Sequence, residues 1–181
     1  MNNELKNNID KSQKFLKKKD FKNAEKILFN NLEISQNNFE TFFLLGTISA
    51  VNKKLDKAEI YLKKAILLNP SHANSILNLA IILKKMNKKK ECITYFNKLI
   101  ELDKKNIEGF CGLAQISEEE GNYIEAENYF KKALDIDSNH HVANHSYGKL
   151  LLKLNQHKNG LRLIEKVSGI IKFRKNTFEI V

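Results

Sequence analysis

The sequence predicts an all-α chain, an array of short helical hairpins stacked one on the next. Three observations carry this. Apolar residues recur at helical spacing. Phe110, Leu113, Ala114 and Ser117 share one helical face, and Tyr123, Ala126, Phe130, Ala133 and Leu134 open a second with the same period. Gly121-Asn122 breaks the chain between those faces, so two amphipathic helices meet at a tight turn, and neither can bury its apolar face alone. Finally, the chain matches itself when displaced by 34 residues: Ala24, Ala58, Cys92, Ala126 and Gly160 form one column of small residues, and Gly46, Ala80, Ala114 and Gly148 another. Leu28, Leu62, Phe96, Phe130 and Ile164 form a large apolar column, and Leu45, Leu79, Leu113 and Tyr147 a second. Small residues let helix backbones approach, and large ones fill the space beside them. A fixed period of this length marks a stacked helical array.

In chain order, residues 4–18 read as the first helix, with Leu5, Ile9, Ser12, Phe15 and Leu16 on its apolar side. Asp20 is placed to cap the next helix, 21–34. Asn31 stands where later repeats carry Ala65, Leu99 or Ala133, as expected of an end repeat that needs a polar face. The second repeat pairs 39–51 with 55–68, with Asn38 as a cap; the third pairs 73–86 with 89–102, and the fourth 107–120 with 123–136. The fifth is weaker. Asn144 replaces an apolar residue, and Gly160 replaces Ala inside a helix at 157–167, where glycine costs about 1 kcal/mol relative to alanine. The tail, residues 168–181, carries Ile170, Ile171, Phe173, Phe178, Ile180 and Val181. It is too apolar to stay free and is expected to fold back on the last hairpin. The alternative is docking on another chain or a second copy.

A chain of 181 residues with 42% apolar content is enough for one elongated core. One Pro, seven Gly and no β-branched alternation of useful length point to a nearly all-helical protein. No apolar run approaches the ~18 residues of a membrane span, and the start, MNNELKNNIDK, lacks a signal-peptide core. The expectation is a cytoplasmic protein. Cys92 and Cys111 are too few for a disulfide scaffold, so two free thiols are expected. The net charge of +10 lies wholly in residues 1–106, which hold 21 Lys against 11 Asp and Glu. Lys- and Asn-rich usage also fits an AT-rich genome.

The run Gly-Asn-Tyr-Ile-Glu-Ala at 121–126, followed by Tyr129-Phe130-Lys131-Lys132-Ala133-Leu134 and matched by Asn69-Pro70 at a repeat's end, resembles the tetratricopeptide repeat family. The resemblance covers roughly residues 5–167 and implies a right-handed α-solenoid of about five hairpins, near 5–38, 39–72, 73–106, 107–140 and 141–167, followed by the short apolar tail. It also implies that the first helix of each repeat lines a concave groove where partner segments lie. The residues so placed are Phe43 and Thr47 in repeat two, and Asn74, Leu77, Asn78, Ile81 and Lys84 in repeat three. Repeat four offers Cys111, Gln115 and Glu118, and repeat five His145 and Lys149. Phe43, Leu77 and Ile81 read as an apolar floor, with Ala50 and Gly112 leaving room for a guest. The carboxylate clamp of some family members is not matched, since Ile9 and Gln13 occupy two of its positions.

Lysine clusters recur at the turns within repeats one to three. Lys17, Lys18 and Lys19, then Lys53 and Lys54, then Lys88, Lys89 and Lys90 form a candidate basic edge. With little Arg and no interleaved aromatics, it argues against specific nucleic-acid binding. Lys63-Lys64 and Lys131-Lys132 read as solvated. His141 and His145 share a helix face, but a zinc site usually takes three or four ligands. A Cys111–His145 pair would need an orienting third group, and polar groove contacts account for it better. Glu118, Glu119 and Glu120 point in different directions on a helix. No phosphate loop or hydrolase motif occurs.

The expected function is therefore a non-catalytic scaffold or adaptor, without cofactor, that binds a peptide segment of another protein. Phe43, Leu77 and Ile81 would supply affinity, while Lys84, Lys85, Glu118, Glu119, Lys149 and Lys153 would set register. Two alternatives remain open: a docking or regulatory arm for a separate transferase or hydroxylase subunit, and a basic edge for nucleic acid or an acidic protein. The sequence leaves the oligomeric state undetermined.

Overall fold

The computed structural model describes residues 3–168 and two short strands at 171–174 and 177–180. The helices are α1 (Asn3–Lys17), α2 (Phe21–Ile34), α3 (Phe39–Val51), α4 (Leu55–Leu68), α5 (Ala73–Lys85), α6 (Lys89–Leu102), α7 (Ile107–Glu119), α8 (Tyr123–Ile136), α9 (His141–Lys153) and α10 (His157–Ser168). They alternate in sequence order as first and second arms of hairpins, the all-α repeat class that the periodicity predicts. The chain divides into two compact units, Met1–Tyr95 and Phe96–Val181.

Helix starts follow from capping chemistry. The Asp20, Asn38 and Asn106 side chains accept hydrogen bonds from the backbone N–H of Asn23, Thr41 and Gly109 at 3.2, 2.8 and 2.9 Å. The turns within hairpins share one geometry. In each, an N–H bonds back five residues: Asp20 to Phe15, Lys54 to Ser49, Lys88 to Leu83, Asn122 to Ser117 and Gln156 to Leu151, all at 2.8–2.9 Å. The residue just before that donor is left-handed in every case. Lys19, Lys53, Asn87, Gly121 and Asn155 have φ of 59°, 59°, 58°, 81° and 61°. This is the Schellman closure of a helix end, repeated at the same period as the sequence columns.

In the first unit, Leu28, Leu45, Ile48, Leu62, Ile76, Leu79 and Leu83 are fully buried. Gly46 lies against Leu62, whose side chain would be 2.7 Å from an added Cβ. The Cys92 thiol donates to the Ala80 carbonyl at 3.2 Å, so Cys92 is the small packing residue its column predicts. In the second unit, Phe130 is buried among Ala114, Ala126, Tyr147, Leu150 and Leu151, and its ring stacks on Tyr147 at 5.8 Å.

Three elements differ from expectation. Asn31 is not part of a solvated end face. It is fully buried, accepts from Asn8 Nδ2 at 2.9 Å, and turns its own amide toward the Leu5 carbonyl and Thr41 Oγ1 at 3.5 and 3.4 Å. Gly160 does not weaken its helix at an open position. An added Cβ would stand 2.7 Å from the Gly148 carbonyl oxygen, and one on Gly148 would stand 2.8 Å from that of Gly160. Glycine faces glycine where α9 and α10 cross. Last, β1 (Ile171–Arg174) and β2 (Thr177–Ile180) pair antiparallel, with Ile171 opposite Ile180 and Phe173 opposite Phe178. The sequence Ile-Lys-Phe-Arg alternates apolar and polar residues, a period-two signal that the expectation of a nearly all-helical chain with a folded-back apolar tail does not include. Docking of the tail on the last hairpin lies outside the described residues.

Candidate functional site

In the first unit, two first-arm helices build a shallow cleft of about 230 Å³. Thr47, Ala50 and Val51 of α3 face Asn78, Ile81, Ile82 and Lys85 of α5. Asn78 Nδ2 donates to Thr47 Oγ1 at 3.3 Å, and Thr47 Oγ1 donates to the Phe43 carbonyl at 2.9 Å. Those bonds hold the floor in place, while Val51 and Ile81 remain 52% and 40% exposed on it. Phe43 is half-buried against the core, with its ring edge-on to His72 at 4.9 Å. Phe39 meets the same imidazole at 5.2 Å, and His72 Nδ1 lies 2.7 Å from Ser75 Oγ. Burial lowers the His72 pKa below the usual range, partly offset by the charge of Glu40. Thr47, Asn78 and Ile81 thus come together as a surface. Leu77 and Lys84 are half-buried on α5, and Asn74 is exposed at its start.

In the second unit, the expected groove residues of α7 and α9 have mixed fates. Cys111 is 2% exposed and packs with Phe110, Ala133 and Ala143. Burial, with help from Glu108, pushes its thiol up to about 12. That corrects its assignment as a groove contact and is the opposite of nucleophile activation. Nor does Gly112 leave room for a guest, because the Phe96 ring already occupies the space above it. Glu118 lies 4.0 Å from Lys153 Nζ, which also sits 4.8 Å from the Tyr123 ring centroid. Gln115 is half-buried and Lys149 exposed. His145 stacks on His141 at 6.4 Å, and its Nδ1 is buried without a hydrogen-bond partner. Among the described residues, no group of three or more His, Cys, Asp or Glu is placed to hold a metal.

Along the candidate basic edge, Lys19, Lys53, Lys54 and Lys90 are exposed and Lys89 half-buried. Lys88 departs from that row. Its Nζ lies 2.7 Å from the buried carboxylate of Glu59, which also holds Lys63 at 2.7 Å, and Lys63 reaches Glu91 at 3.1 Å. Burial alone would raise the Glu59 pKa, but the hydrogen bonds and charges of Lys63 and Lys88 outweigh it and lower it. Two repeats later the motif recurs, with Glu127 held by Lys131 and the Tyr147 hydroxyl, both at 2.8 Å. Lys63 and Lys131 are thus ion-paired rather than simply solvated. A separate cleft on α10 escaped the sequence reading entirely, although its side chains repeat at helical spacing.

Exposed apolar and polar side chains on successive first-arm helices define a class: helical-repeat proteins of the kind that serve as interaction scaffolds. Tetratricopeptide repeat models match residues 39–72, 73–106 and 107–140, more than half of the chain. The chain belongs to the tetratricopeptide repeat family. No curated protein matches it. Among solved structures, it is similar to MamA 41-end from Desulfovibrio magneticus RS-1, at 17% identity and a TM-score of 0.78, covering 92% of this chain and 94% of that one. It is similar to YrrB, described as a TPR protein with an unusual peptide-binding site, at 18% identity and 0.69, covering 88% and 82%. It is also similar to PilW, described as a widely conserved type IV pilus biogenesis factor, at 16% identity and 0.82, covering 95% and 81%. At such identities the likeness speaks for the fold. No helix among the described residues is long and apolar enough to cross a membrane.

Proposed function

We propose that the protein is a non-catalytic scaffold that binds a peptide segment of another protein on its first-arm helices, with the α3–α5 cleft as the anchor point. The observation that carries this reading is the pair Val51 and Ile81. Both are large, apolar and substantially exposed, and both lie in a cleft whose floor is pinned by the Asn78–Thr47 hydrogen bond. Exposed apolar surface in a concave, ordered setting is what a partner side chain fills. Lys85 at one end of the cleft favours a segment with an acidic residue beside its apolar anchor. The peptide-binding description of YrrB is in keeping with this use of the fold.

The test is capture from a nuclease-treated native extract at physiological salt, comparing wild type, Ile81→Glu and Leu67→Glu. Leu67 is 79% exposed on α4 and outside the cleft. Ile81 is a better probe than Phe43, because Phe43 also packs on the core. A protein held by wild type and Leu67→Glu but lost with Ile81→Glu supports the cleft. Capture by all three, with unchanged circular dichroism, overturns it.

A further inference from the structure

The face of α10 that lines a cleft with α8 and α9 carries chemistry that peptide docking on the first-arm helices does not use. Asn159, Arg162, Leu163 and Lys166 stand at i, i+3, i+4 and i+7, so one side of α10 presents them together. With Glu127 and Lys131 of α8, Tyr147 and Leu151 of α9, and Gln156 just before α10, they line an open cleft of about 640 Å³. Its charges do not cancel. Glu127 is already engaged, accepting from Lys131 Nζ and the Tyr147 hydroxyl at 2.8 Å each. That leaves Arg162 and Lys166. Lys166 Nζ donates to the Ser138 carbonyl at 2.6 Å, a neutral acceptor, and among the described residues no carboxylate offsets its charge. Arg162 has no carboxylate partner among the described residues.

We propose that this cleft is an oxyanion site that takes a phosphomonoester dianion. Two uncompensated cations match the roughly −1.5 to −2 charge of such a group at neutral pH. A guanidinium offers the planar fork that binds phosphate oxygens bidentately. The Gln156 and Asn159 amides supply neutral donors at the rim. The cleft is larger than a phosphate, and Leu151, Leu163 and the Tyr147 ring give the remainder an apolar lining suited to the organic part of an ester. The same chemistry is offered by a free phosphorylated metabolite and by a phosphorylated side chain of a partner protein.

The experiment is a nitrogen-15 NMR titration of the full chain at 0.15 M salt with phenyl phosphate, a phosphoserine peptide and inorganic phosphate. The reporter is the Arg162 side-chain N–H, one of two arginine signals in the chain. Saturable movement of that signal is expected, together with the Gln156 and Asn159 amides, with an ester binding more tightly than inorganic phosphate. Arg162→Gln and Lys166→Gln should each weaken binding about tenfold. Lys158→Gln, exposed on α10 but outside the cleft, should leave it unchanged. Tighter binding of the peptide identifies a protein source, and tighter binding of phenyl phosphate a small molecule. Absence of saturation with all three ligands, or equal weakening by Lys158→Gln, overturns the site. The peptide cleft at Ile81 can fail independently, since it shares no residue with this one.

Discussion

Lysine at a left-handed position is a local cost that the fold accepts at two of its five hairpin turns. Lys19 and Lys53 hold the φ that Gly121 supplies freely and that Asn87 and Asn155 tolerate. Lys53→Gly is therefore expected to raise stability by about 0.5–1 kcal/mol in urea unfolding; a loss would mean the Lys53 side chain contributes more than its backbone costs. The converse is Gly121→Ala, where an added Cβ meets nothing within 4 Å yet φ is +81°, so a loss of about 1 kcal/mol reports backbone strain alone. The lysine clusters were plain in the sequence, but their states were not. Lys88 neutralises Glu59 across 29 residues of chain, and no local pattern announces such a partner.

At the scale of elements, the crossing of α9 and α10 sets what its helices can carry. By helix propensity alone, Gly160→Ala should stabilise by about 1 kcal/mol. The added methyl would stand 2.7 Å from the Gly148 carbonyl oxygen and 3.0 Å from Leu152, so the helices must part. The expected net is a loss of about 1–3 kcal/mol, read as a lower Tm, and a higher Tm would show that the crossing relaxes freely. The 34-residue column called for a small residue there but could not separate alanine from glycine, because the choice depends on the partner backbone. At the other end of the chain, Asn38→Ala should cost about 1 kcal/mol through loss of the α3 cap, checked by the same melts.

Across the molecule, the shifted groups that titrate below neutral pH act in one direction. Glu59 and Glu127 have lowered pKa values in the folded state. Their contribution is complete above the ordinary carboxyl range near ~4.3 and is lost as pH falls through the lowered values. His72 is also lowered, by burial, so the unfolded chain takes up its proton first, near ~6.5, and stability declines as pH drops through that range. Tm should therefore rise from pH 3 to 7 in two stages. His72→Gln should flatten the upper stage. Glu59→Gln should flatten part of the lower one and cost about 1–2 kcal/mol at neutral pH; an unchanged profile in both variants would show that other groups govern it.

The sequence by itself determined the period, the helices, the caps at Asp20 and Asn38, and the small and large columns of the core. These depend on neighbours within one or two turns of the chain, and a repeat states them several times over. It also placed Thr47, Asn78 and Ile81 on the first-arm helices. Only the tertiary structure decided that Cys111 is buried, that the Phe96 ring fills the space above Gly112, and that Arg162 and Lys166 line one cleft with Tyr147 and Glu127. Those outcomes rest on side chains from different helices competing for the same volume and the same counter-charges, and that competition leaves no periodic trace.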